Sequence, residues 1–409
     1  MRIRIWVVTA GVLLAFAGIG ATAGAGSPGQ LTETVLGTFT GPNGSSPASN
    51  LMADGAGNLY GTTAYGGAYS VGVVFELTRS SSGWTESVLY SFTGSSDGGV
   101  PQGGVARDNQ GNLYGTTWGG GSDGRGVVYE LSPTGGAWSE KVLYSFLPVE
   151  AEPYGTPLLG HNGEIYGTTY GGGTHQDGAV FELVPVNETW EEEQIYSFCS
   201  LAMCADGSAP MGSLIQDSHG NLYGTTYAGG TGCLAICGTV FELSPSNGLW
   251  TENVLHSFTG YDGRTPYAGV VMDDNGNLFG TTTLKGGHGN GTVFELTPEN
   301  GGWSFNTIHS FSGGWDGGRP YGGLIVDSNG NLYGAAYYGG QNGDGTVFKL
   351  APVQGTWREH VLYNLTGGTE GRFPYGGVIL LGGRLYGTTL QGGGGDCDSG
   401  CGVAYEIAR

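Results

Sequence analysis

Gly111-Asn112-Leu113-Tyr114-Gly115-Thr116-Thr117 is one copy of a phrase that returns, with small changes, seven times along the 409-residue chain. Its aromatic residue falls at Tyr60, Tyr114, Tyr166, Tyr223, Phe279, Tyr333 and Tyr386, at intervals of 52 to 57 residues. A period of that size marks a propeller, solenoid or array. Around each copy lie four short β-type runs separated by glycine clusters. In the sixth copy these are Gly323–Asp327, Asn331–Gly334, Thr346–Leu350 and Glu359–Asn364. None has the periodicity of a helix.

Between the first and second runs sits Asp-x-x-Gly-Asn, as at Asp108–Asn112, Asp273–Asn277 and Asp327–Asn331. Asp and Asn close a turn onto their own backbone and Gly accepts positive φ, so the segment predicts a tight hairpin. A calcium loop would need alternating acidic ligands and a terminal Glu, which are missing. Four antiparallel strands repeated seven times predict an all-β fold, a seven-bladed β-propeller of four-stranded antiparallel blades. Each blade buries both faces against its neighbours, which explains apolar residues on both sides of every strand.

The order of strand types also predicts how the ring closes. A fourth-type strand, Thr34–Phe39, precedes every other element, and the chain ends on a third-type strand, Gly402–Ile407. The last blade therefore lacks an outer strand, and residues 31–40 are expected to supply it to 374–409, covering two raw edges. Residues 24–409 then make a single domain.

The N-terminus reads as a secretory signal peptide over residues 1–23: Arg2 and Arg4, an apolar run from Ile5 to Ile19, then Ala21-Thr22-Ala23. The run is short for a membrane span. With no hydrophobic tail before Arg409, a monomer released to the extracellular space or periplasm is expected, with no membrane insertion after cleavage. Glycine (85) and proline (16) are abundant, but 23 Tyr, 9 Trp and 15 Phe bring the apolar area that disordered chains lack. The formal net charge is −21, and loss of Arg2 and Arg4 makes it more negative still. Such a field repels phosphate backbones and anionic lipid, which disfavours nucleic acid as a partner.

Six cysteines in an exported chain predict three disulfides, and their spacing suggests local pairs: Cys199 with Cys204, Cys233 with Cys237, Cys397 with Cys401. Cross-pairing between the first two sets is the alternative. Zinc would want C-x2-C pairs or nearby histidines, so no metal is expected.

The repeats resemble the GloVer tandem repeat of exported bacterial proteins called choice-of-anchor. The resemblance covers Leu31 to Arg409 and rests on Gly-Asn-Leu-Tyr-Gly-Thr-Thr, Gly-Thr-Val-Phe-Glu-Leu and Val-Leu-Tyr-Ser-Phe in register. It implies export and a repeated β fold, and brings no established activity or catalytic residues.

Loops joining second to third strands, and each fourth strand to the next blade, emerge on one face, which carries all six cysteines. Tyr154, Tyr267, Tyr321 and Tyr375 follow a proline at the expected start of an innermost strand, with Gln102 and Met211 in equivalent slots. They predict an incomplete aromatic ring around the channel mouth. Trp118, Tyr170, Tyr227 and Tyr337 follow the Thr-Thr or Ala-Ala pair near the same face. Flat rings with polar tips suit sugars, though blade-to-blade packing would also use them.

Arg264, Arg319 and Arg372 precede those prolines in three consecutive blades, each after an acid: Asp262, Asp316 and Glu370. Local pairing with these acids is the expected role, and a cationic rim over blades five to seven the alternative. The chain has no G-x-S-x-G, H-E-x-x-H or P-loop, and most of its histidines (161, 175, 219, 256, 288, 309, 360) occupy unrelated repeat positions. His256 and His309 share a slot where other blades carry Tyr, while Glu76, Glu182, Glu242 and Glu295 occupy one structural position. The expected function is a non-catalytic binding or interaction module without cofactor, for a glycan or another extracellular protein. The alternatives are a polysaccharide-active hydrolase or lyase, which would converge two acids on the channel mouth, and a structural envelope component.

Overall fold

Each copy of the repeat folds into one four-stranded antiparallel sheet in the computed structural model, which describes residues 31–408 apart from 151, 188, 234 and 235. The segment read as a signal peptide lies outside the described residues. The seven sheets are numbered as blades 1 to 7 in chain order, from Met52–Ser91 through Ala106–Ser145, Leu158–Ser197, Ile215–Ser257, Val271–Ser310 and Ile325–Asn364 to Ile379–Ala408. The last is completed by Thr32–Thr38, which pairs antiparallel with Val403–Ala408, so the ring closes as the strand order predicts.

Strand lengths depart from the sequence expectation. The innermost strand is only two residues in six blades, such as Ile325–Val326, while the outer hairpin is long, Thr346–Val353 against Thr356–Asn364. The apolar pattern marks the half of that hairpin lying between blades. Its outer half is held by ladder hydrogen bonds and exposes Val353, Gln354 and Gly355.

The phrase Leu-Tyr-Gly-Thr-Thr has a contact for every residue. A Cβ on Gly61 would stand 2.6 Å from the Phe75 ring of the next strand, so only Gly leaves room for it. The Tyr60 hydroxyl donates to Glu76 at 2.9 Å, and its ring packs at 6.5 Å on Trp138 of the following blade. Leu31 takes the Trp position in the closing strand and packs in the cluster that holds Tyr333. The first Thr is a bolt between blades: Thr62 Oγ1 donates to Gly103 O at 2.7 Å, Thr116 to Gly155 at 3.0 Å and Thr225 to Ala268 at 2.9 Å. Thr168, Thr281 and Thr388 repeat the bond to Gly212, Gly322 and Ser49, whereas blade 6 has Ala335 and makes none.

The bolts draw the innermost strands together at the axis. A Cβ on Gly103 would lie 2.6 Å from the Gly155 backbone, and one on Gly376 would lie 2.5 Å from Ser49 O. The hairpin turns behave as expected: in Asp327-Ser-Asn-Gly-Asn331, Asp327 Oδ1 accepts from Asn329 N and Asn331 N at 2.9 Å, and Oδ2 from the Asn331 amide at 2.8 Å. These donors outweigh burial and hold its carboxyl below the ordinary range.

The outer strands hide a set of acids. Two residues after the Trp position stand Glu86, Glu140, Glu192, Glu252 and Glu359, with Glu33 in the closing strand and Phe305 in blade 5. Burial pushes the first five up to about 7 and Glu33 to about 8. A second acid from the preceding inter-blade loop adds to the effect, Asp97 on Glu140, Asp206 on Glu252 and Asp316 on Glu359. At the junction of blades 7 and 1, Asn43 stands instead and donates to Glu86 at 2.9 and 3.0 Å.

Candidate functional site

The loop between blades ends in a proline, and the residue before it has a left-handed backbone in every blade, with φ between 54° and 74° for Ser46, Val100, Glu152, Ala209, Thr265, Arg319 and Phe373. Such a conformation costs on the order of 1–3 kcal/mol for a non-glycine residue and persists where the surroundings over-determine it. Here both backbone groups are used: Arg319 N donates to Asn290 O at 2.7 Å, and its carbonyl accepts from Tyr337 N at 3.3 Å. The turn delivers the residue after the proline to the axis.

There the tyrosines meet. Tyr154 and Tyr267, from blades 3 and 5, share a hydrogen bond of 2.5 Å between their hydroxyls. Tyr321 stacks on Tyr375 at 4.8 Å, and Tyr267 meets both edge-on at 5.3 and 5.6 Å. The four side chains, placed in sequence around the channel mouth, come together at the axis and touch one another. They also precede the innermost strands rather than begin them. The glycine-lined approach of the blades leaves so narrow a centre that phenol rings reach one another across it.

A cavity of about 160 Å³ at the axis is lined by residues of all seven blades, these four tyrosines with Gln102 and Met211 among them, together with Ser49, Gly103, Thr156, Gly212, Gly269 and Gly322. On the long-loop side lies a cleft of about 330 Å³ lined by Tyr227, Tyr267, Thr283, Leu284, Tyr321, Tyr337, Tyr338 and Tyr375. Burial raises the phenol pKa of Tyr267 and Tyr375, which therefore remain neutral donors. Of the residues singled out in sequence, Tyr227, Tyr267, Tyr321, Tyr337 and Tyr375 come together here. Tyr154 joins from beneath. Trp118 and Tyr170 stand apart on blades 2 and 3, about 40% exposed, and do not line the cleft.

The expected pairing of the arginines with their neighbouring acids is not found. Asp262 accepts from Thr259 N at 2.8 Å and lies 2.9 Å from His256; Asp316 accepts from Ser312 N at 2.8 Å and lies 3.4 Å from His309. Glu370 accepts from Thr366. The acids thus answer the Tyr or His of the outermost strand, as Asp97 answers Tyr90 at 3.0 Å. Burial pushes Asp262 upward, but the His256 and Thr259 donors outweigh it and hold the carboxyl low. The repeat register also differs: Arg264 and Arg372 share one position and Arg319 the next, because Thr265 and Phe373 intervene before the proline.

Two of the arginines instead lie over aromatic rings, one of which lines the cleft. Arg319 lies over the Tyr338 ring at 5.1 Å and Arg372 over Phe373 at 4.9 Å, while Arg264 Nε donates to Ile236 O. Phe373 stacks on Tyr337 at 5.0 Å, and Tyr337 meets Tyr338 edge-on at 4.5 Å. Sequence reasoning missed Tyr338 and Phe373. Each was legible as an aromatic beside a marked residue.

The three disulfides form as local pairs, Cys199–Cys204, Cys233–Cys237 and Cys397–Cys401. Asp177 approaches the first within 4.8 Å, but a disulfide offers no thiolate to a metal. Among the described residues, no Asp, Glu or His lines the axial cavity or the cleft.

A family model described as the Gloeobacter/Verrucomicrobia repeat matches residues 20–152, 149–326 and 299–409. No curated protein matches the sequence. Among solved structures, a fungal alcohol oxidase in complex with copper is similar with a TM-score of 0.54 and 14% identity, over 93% of this chain and 75% of that one. A Bacteroides uniformis protein assigned as a 6-phosphogluconolactonase is similar with a TM-score of 0.51 and 15% identity, over 81% and 88%. At such identities the likeness is one of fold alone.

Proposed function

The chain belongs to the Gloeobacter/Verrucomicrobia repeat family, and from its cleft we propose that it is a non-catalytic binding module that holds a saccharide over blades 4 to 7 outside the cytoplasm. The observation that carries this reading is the convergence of tyrosines from four blades on one cleft, with rings as walls and neutral hydroxyls as donors. Aromatic faces take the apolar face of a sugar ring and hydroxyls take its polar edge. The lack of carboxylates and histidines in the lining supports binding over hydrolysis, since glycoside cleavage uses a pair of acids. Three disulfides support an oxidising compartment.

A glycan array on residues 24–409, repeated with Tyr337→Ala, tests the reading. Binding that Tyr337→Ala abolishes supports it. An array without signal, equal binding by the variant, or release of shortened products from a polysaccharide panel would overturn it.

A further inference from the structure

Arg319 and Arg372 each lie over one ring of a mutually packed cluster of three, Tyr338, Tyr337 and Phe373, and neither forms an ion pair among the described residues. A guanidinium resting on a ring can still turn N–H groups toward an oxyanion, and Arg319 also hydrogen-bonds toward the Tyr321 hydroxyl beside it. Their sequence neighbours Asp316 and Glu370, the obvious counter-ions, are held by Ser312, His309 and Thr366. Resting on the saccharide reading above, we propose that the cleft selects an acidic oligosaccharide, its sugar rings against the tyrosines and its oxyanions on Arg319 and Arg372, which lie beside the cleft's aromatic wall.

Two like charges beside one aromatic cluster repel each other, and an anion relieves that repulsion where no ion pair among the described residues does. Burial raises the Tyr337 phenol while both guanidiniums oppose it, which puts the two charges within reach of the same ring. The overall charge of −21 does not defeat the site. At physiological ionic strength charges are screened over about 8 Å, so the nearby guanidiniums outweigh acids spread over the remaining surface. The left-handed backbone of Arg319, φ 54°, fixes the direction of its side chain at the rim.

Isothermal titration with an oligogalacturonate, its uncharged methyl ester and a sulfated galactan oligomer tests the proposal, at low and high salt. At least one acidic ligand should bind tenfold or more tighter than the ester, with the advantage shrinking as salt rises, and whichever binds names the oxyanion. Arg319→Ala with Arg372→Ala should remove that advantage, so that acid and ester bind alike, Arg319→Lys should retain part of it, and thermal melting confirms that the variants fold. Equal binding of acid and ester, or binding of neutral glycans only, overturns the acidic assignment and leaves the saccharide reading intact. No binding here together with a blank array removes both, while the ester comparison needs no variant to fold.

Discussion

Glu252→Gln should stabilise the protein at pH 8 and do almost nothing at pH 5. Glu252 is half-buried between blades 3 and 4 with one carboxylate oxygen unpartnered, and burial, then the charge of Asp206, pushes it up to about 7 from 4.5. A carboxyl whose folded pKa exceeds its unfolded value binds its proton more tightly when folded. Its contribution is therefore favourable or neutral below pH 4.5, declines between 4.5 and 7, and stays unfavourable above. Each pKa unit corresponds to about 1.4 kcal/mol, but the side chain is only half-buried, and solvent screening reduces the effect to about 1 kcal/mol. Glutamine keeps the shape without the charge. Urea unfolding of both proteins at pH 5 and pH 8 reads the difference as a midpoint change at constant m. A stabilisation equal at both pH values, or destabilisation at pH 8, would refute the desolvation argument. The same logic makes Asn43→Asp selectively destabilising at pH 8, because it places a second acid beside Glu86.

Two further outcomes follow from the way the ring is bolted. Ala335→Thr should add about 0.5–1.5 kcal/mol of stability by supplying the bond to the next blade that the other six make, whereas Thr116→Ala should cost a similar amount or more by stranding Gly155 O; chemical denaturation measures both. Deleting residues 31–40 should abolish cooperative thermal unfolding, since blade 7 loses its outer strand and Val403–Ala408 becomes a raw edge, and an unchanged melt would refute the closure.

The fold was legible because every residue of the repeated phrase answers a local demand: Gly for a ring lying over it, Thr for a carbonyl one blade away, Asp and Asn for a turn. The closing strand was legible because strand types come in a fixed order. The tyrosines were legible as a set but not in their mutual contacts, since sequence carries no measure of how near the axis glycines let the blades come. The arginines misled because adjacency suggests pairing. The true partners of Asp262 and Asp316, His256 and His309, lie six and seven residues earlier, across a loop whose path only the fold reveals. The inter-blade acids had a signal in the recurring Trp-x-Glu, two residues on one face of a strand, and an alternation argument would have found them.

The proposed saccharide site is the cleft over blades 4 to 7. A crystal structure of residues 24–409 with the tightest-binding oligosaccharide from the array tests it most directly. The account predicts sugar rings against Tyr321, Tyr337 and Tyr375 with an oxyanion within hydrogen-bonding distance of Arg319 or Arg372; a ligand seated on the opposite, short-turn face, or on Trp118 and Tyr170 alone, would contradict it.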